Sequence, residues 1–259
     1  MTDSRKSQPS NAGLQRAAQL AAELVGSGTG ALVGSSGGAL SAIIGAMAGT
    51  TITSVGREVV ARVITTKQEA RVGAVFVQAG AAIMAAEIEG RSVRDDGFWK
   101  GDHSAGYEFA EGVMHVAMES FEERKIPYLG NLLANVATNP EIDPNTANGA
   151  IALSERLSWL DYKLLGILRR GDDFPMPSKE LGFGNSWSTW AVKDAFRALI
   201  DESNLIHYPR KVGDRGQPLR DLSLSAATAT SGGELVGTLL QVEDIPSTDL
   251  RPVFKTLTS

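Results

Sequence analysis

Between Glu23 and Arg57 the chain carries no charged residue, and small residues recur there on a four-residue period: Gly26, Gly30, Gly34 and Gly38, then Ala42 and Ala46. Four residues is just over one helical turn, so the series lines one side of a helix with a shallow groove. A second helix can settle into such a groove until the backbones touch. Gly45 and Gly49 belong to the same small surface. The candidate helix-association residues are therefore Gly26, Gly30, Gly34, Gly38, Ala42, Gly45 and Gly49.

As one helix the stretch would run about 50 Å, more than the ~30 Å hydrocarbon core of a bilayer. The Gly37–Gly38 pair offers a break, giving two short antiparallel helices. Glycine, serine and threonine dilute its hydropathy. Two settings stay open: contact with a membrane, and a small-residue hairpin packed inside a soluble protein or oligomer.

Residues 1–12 are polar and read as a disordered tail. LQRAAQLAAELV then reads as a short helix, and the segment is a poor match to a secretory signal peptide. Val55 to Ile88 reads as one long or kinked amphipathic helix, with Arg57, Arg62, Lys67 and Arg71 placed either for anionic lipid or as a solvated face. Residues 13–90 read as a glycine-rich, small-residue helical region. A loop follows from Gly90 to Gly106, anchored by Phe98 and Trp99.

Residues 103–157 read as a helical block. Tyr107, Val113, Val116, Ala117 and Phe121 give its first face; Leu129, Leu132, Leu133 and Val136 give the next. Asp143 and Pro144 read as N-cap and first residue of a helix through Ile151, Leu153 and Leu157. Ser158 caps another, with Leu160, Leu164, Leu165 and Leu168 inward. A helix over about Ser186–Glu202 follows, with Trp187, Trp190, Ala191, Phe196, Leu199 and Ile200 as expected core. LIHY reads as a strand, PRKVGDRGQP as a turn, LRDLSLSA as a second strand and TSGGELVGTLLQVEDI as a last helix. The order helix, helix, strand, turn, strand over residues 158–245 is that of a winged-helix module. Residues 246–259 read as a tail. The expected fold class is mainly α: a glycine-rich N-terminal hairpin, a helical bundle and a winged-helix-like module.

No catalytic constellation emerges. Gly28, Gly30 and Gly34 match a loose dinucleotide spacing, but an alanine-rich helix precedes them where a strand is required, and no P-loop ending follows. Asp95–Asp96 and Asp172–Asp173 read as loop-solvating pairs, and His115 as a satisfied, partly buried helix residue. The chain has no cysteine, which removes thiolate chemistry, and its three histidines lack metal-ligand spacing. No cofactor, metal or small-molecule substrate is expected. A net charge of −5 argues against broad nucleic-acid binding. A local patch of Lys193, Arg197, Arg210, Lys211, Arg215 and Arg220 is the candidate contact for nucleic acid or a protein partner. Asp194, Asp201 and Glu202 on the same helix oppose phosphate and favour the protein partner.

The blocks "YLGNLLAN", a proline-bearing break, then "LSWLDYKLLGIL" resemble bacterial proteins of the abortive-infection alpha type and their uncharacterised relatives, over Glu111 to Leu240. The resemblance implies a role in phage defence or prophage exclusion, with the cell membrane as a target. It transfers no catalytic residue. Three functions follow as expectations: a non-enzymatic, self-associating protein at the inner membrane, a soluble winged-helix DNA-binding regulator, and a soluble oligomeric scaffold. The corresponding localisation is cytoplasmic or inner-membrane associated.

Overall fold

We describe the protein from a computed structural model, over residues 65–100, 104–178, 186–208 and 224–258. The glycine series from Gly26 to Gly49 and the basic residues Arg210, Lys211, Arg215 and Arg220 lie outside the described residues. The described chain is mainly helical, with a single two-stranded sheet. It divides into two units, Met1–Asn148 and Gly149–Ser259.

The first unit is built on α1 (Thr66–Ile88), α2 (Ala105–Glu119), α3 (Ile126–Thr138) and the start of α4 (Pro144–Arg156). Thr65 caps α1. Its hydroxyl accepts from Gln68 N–H while the Gln68 side chain accepts from Thr65 N–H, so two otherwise orphaned amides are satisfied. This helix therefore starts at Thr66, and the earlier part of the long or kinked helix expected from Val55 lies outside the described residues. At the other end Gly90 takes φ +85°, and Arg91 N–H donates to Ala86 O.

Val72, Val75, Phe76, Ala79, Ile83 and Ala86 of α1 face the core. Phe109, Val113 and Met114 of α2 and Leu129, Leu132, Leu133 and Val136 of α3 complete it, as the apolar periodicity implies. The α1–α3 approach is close because of Gly130: a Cβ there would lie 2.7 Å from Val75 O. Beside it Gln78 Nε2 donates to Asn131 Oδ1 at 2.7 Å, so the buried amide is satisfied. Phe98 and Trp99 anchor the loop as expected, buried and edge-to-face at 5.1 Å. Phe121 departs from expectation at 86% exposed: α2 ends at Glu119, Ser120 is extended, and the helical period is lost.

The second unit holds α5 (Trp159–Arg169), α6 (Trp187–Asp201), β1 (Ile206–His207), β2 (Thr228–Ala229), α7 (Ser231–Leu240) and α8 (Ser247–Thr258). Both caps read from the sequence are present. Asp143 Oδ1 accepts from Asn145 and Thr146 N–H, and Ser158 forms a capping box with Asp161. The strands pair antiparallel, Ile206 with Ala229 and His207 with Thr228.

Two elements differ from the sequence reading. The second strand is Thr228–Ala229 rather than LRDLSLSA, whose described end, Leu224–Ala226, makes a 3-10 turn. The segment expected as a tail contains α8, which buries Leu250, Val253 and Leu257 on one face. Glycines set the close contacts here too. A Cβ on Gly166 would lie 2.7 Å from Val242 O, and one on Gly233 would collide with Leu205 O.

Candidate interaction surfaces

Among the described residues no group of three or more His, Asp or Glu side chains is placed to hold a metal ion. One carboxylate of each pair singled out in the sequence has a local arginine partner. Arg94 grips Asp96 and draws its carboxyl below the usual range, chiefly through that hydrogen bond. Asp173 accepts from Arg170 at 2.7 Å. His115 is exposed on α2, not partly buried, because Val113, Met114, Val116 and Ala117 already occupy the inward positions.

The outer face of α6 is unusual. Val192, Phe196 and Leu199 point inward, so the residues half a turn away point out. Trp187 and Trp190 stand there, 86% and 58% exposed, edge-to-face at 6.3 Å. Both were expected in the core; the helix instead turns Val192 inward. Lys193 and Arg197 continue the same side of the helix. Desolvation lowers the Lys193 pKa, and Arg197 Nε lies 3.7 Å from Asp201 Oδ2. With Asp194 alongside, the face carries both signs of charge. Two exposed indoles rimmed by mixed charge suit an aromatic anchor for a protein surface better than a phosphate contact.

The second surface is on α1. Opposite its core face lie Ala70, Ala74, Val77, Ala81 and Met84, all half-buried, and Ile88, which is 67% exposed. No charged residue occurs from Val72 to Ala86. α1 is 23 residues long, and an 18-residue window of it has mean hydropathy 1.4, so it is long and apolar enough to cross a membrane, although 44% of that window is buried.

The basic residues leading into α1 do not all point outward. Arg71 is buried and pairs with Glu123, and Lys67 Nζ lies 3.1 Å from the same carboxylate. Sequence reasoning missed this pairing, and it missed Arg94. The Arg94 backbone N–H donates to Ala137 O at 2.9 Å. Its guanidinium donates to Asn139 O at 3.1 Å and Ile142 O at 2.7 Å, and stacks on Phe98 at 4.1 Å. It thereby satisfies carbonyls around the C-terminal end of α3.

No family model, no curated protein and no solved structure matches this chain.

Proposed function

We propose that this is a non-enzymatic protein that acts through helix association at a membrane, with its C-terminal unit docking a protein partner. One observation carries the reading: a charge-free stretch with small residues on a four-residue period leads into α1, a helix apolar on both faces. A helix apolar all round needs cover on every side, from protein or from lipid. The resemblance to abortive-infection alpha-type proteins supports a phage-defence effector at the inner membrane. The order α5, α6, β1, β2 supports a winged-helix-like module, and the Trp187–Trp190 pair supports its use as a docking surface.

The test replaces Gly30, Gly34 and Gly38 with leucine in the full chain. Loss of self-association and of the membrane fraction is expected, because leucine fills the groove. Unchanged oligomerisation and unchanged partition would refute the reading. A soluble oligomeric scaffold would lose its oligomer in the same variant while never entering the membrane fraction.

A second reading, a DNA-binding regulator, draws on Arg210, Lys211, Arg215 and Arg220 in the connection between β1 and β2. Titration with duplex DNA across salt concentrations separates it. Salt-steep binding that falls when Arg210, Lys211 and Arg215 are removed would replace the first reading; absence of binding at low salt rejects the second.

A further inference from the structure

We propose that the outer face of α6 binds an arginine side chain presented by the protein partner, its guanidinium stacked on the Trp187–Trp190 pair and bonded to the Asp194 carboxylate. This rests on the docking reading of the indole pair and names the chemistry that the pair recognises.

The chain builds this combination twice within itself. Arg94 lies over the Phe98 ring at 4.1 Å and pairs with Asp96. Arg170 lies over the Phe174 ring at 5.1 Å and donates to Asp173 at 2.7 Å. In each case one guanidinium sets itself over an aromatic ring and gives its N–H groups to a carboxylate. The outer face of α6 presents the same two components to solvent. Trp187 and Trp190 meet at an interplanar angle of 82°, so they offer two π surfaces at nearly a right angle, and both are exposed. With about 3.6 residues per turn, Asp194 falls between them around the helix and one turn beyond Trp190. Helical side chains lean toward the N-terminus, which tilts the carboxylate toward the indoles.

Charge selects the occupant. Asp194 is exposed and makes no hydrogen bond or ion pair among the described residues. Arg197, further along the same side, lies 3.7 Å from Asp201 instead. An indole face is the negative side of its quadrupole, so the π surfaces and the carboxylate both call for a cation. Arginine fits better than lysine. A planar, weakly hydrated guanidinium stacks and forks at once, whereas an ammonium is a compact, strongly hydrated point charge. A carboxylate set between the indoles opposes an anionic lipid surface.

The test titrates blocked tetra-arginine, tetra-lysine and tetra-glutamate peptides into the full-length chain at fixed ionic strength. Calorimetry reads affinity, and acrylamide quenching reads shielding of the indoles. Tetra-arginine should shield the exposed tryptophans and bind at least about three-fold more tightly than tetra-lysine, and tetra-glutamate should not bind. The double change Trp187→Ser with Trp190→Ser should weaken tetra-arginine about ten-fold, and Asp194→Asn about three- to five-fold. Glu202→Gln removes the same charge about 12 Å further along the axis and should leave affinity within about two-fold of wild type. Equal affinity for arginine and lysine peptides, equal losses in Asp194→Asn and Glu202→Gln, or no binding at all would overturn the proposal. Shielding of the indoles by phosphatidylcholine vesicles, or by raised protein concentration alone, would place lipid or a second copy on this face and overturn it too. Selection from a random peptide library, with the double tryptophan variant as counter-selection, separates the two claims. Enrichment of arginine among indole-dependent peptides is expected. Indole-dependent peptides without arginine end this proposal and leave the docking reading standing, whereas no indole-dependent peptide ends both.

Discussion

Arg71 on α1 and Glu123 beyond α2 form a forked ion pair across 52 positions of sequence. Arg71 Nε donates at 3.1 and 3.2 Å to the two carboxylate oxygens and Nη2 donates at 2.6 Å. Nη1 donates to Met118 O at 2.7 Å, so one side chain ties the start of α1 to the end of α2. The Arg71 side chain is only 9% exposed, whereas Glu123 is 37% exposed. Replacing the arginine removes the donor to a part-buried carbonyl and leaves the carboxylate with Lys67 alone. Arg71→Ala should destabilise the chain by about 1–3 kcal/mol, read as a lower urea midpoint.

The same pair gives a pH dependence. The Arg71 hydrogen bond, with help from Lys67, holds the Glu123 carboxyl below its ordinary range against opposing desolvation. A carboxyl whose pKa is lower folded than unfolded stabilises above the unfolded value, about 4.3. That contribution is lost as pH falls through the folded value. Wild-type stability should therefore decline over this acid window more steeply than that of Glu123→Gln. Parallel slopes for the two proteins would contradict the assignment.

Two glycines should respond in opposite directions to alanine. Gly233 sits where a Cβ would collide with the Leu205 backbone, so Gly233→Ala should cost about 1–3 kcal/mol through forced displacement. Gly149 lies exposed within α4 with nothing within 4 Å of a Cβ. Gly149→Ala should add about 0.4–1 kcal/mol by restricting the unfolded chain. Thermal melts of both variants check the contrast.

Tryptophan fluorescence should resolve two populations. Trp99 and Trp159 are buried, whereas Trp187 and Trp190 face solvent. Acrylamide should quench only part of the emission, and the double change Trp187→Ser with Trp190→Ser should remove the accessible part. Because neither indole belongs to the core, stability should change by no more than about 0.5 kcal/mol. Pull-down with the intact chain should retain partners that the double variant loses.

The legible parts of the fold are those set within four residues. Asp143–Pro144 and Ser158 mark helix starts because the cap and the amides it satisfies are neighbours in sequence. The inward faces of α2 and α3 follow from periodicity, and LIHY contains β1. Of the candidate contacts, Lys193 and Arg197 share the outer side of α6, and the indoles beside them, expected in the core, lie outside it.

The sequence by itself determined that the described chain is helical, where several helices begin, and which leucines and valines turn inward. Those choices rest on local hydrogen bonds and a 3.6-residue period. Tertiary structure alone decided that Arg71 and Arg94 are buried ties, that Trp187 and Trp190 stand outside, that β2 falls at Thr228–Ala229, and that α8 exists. Each depends on partners tens of residues away. At these residues burial is settled by what packs against the element from elsewhere in the chain, beyond the reach of the local period.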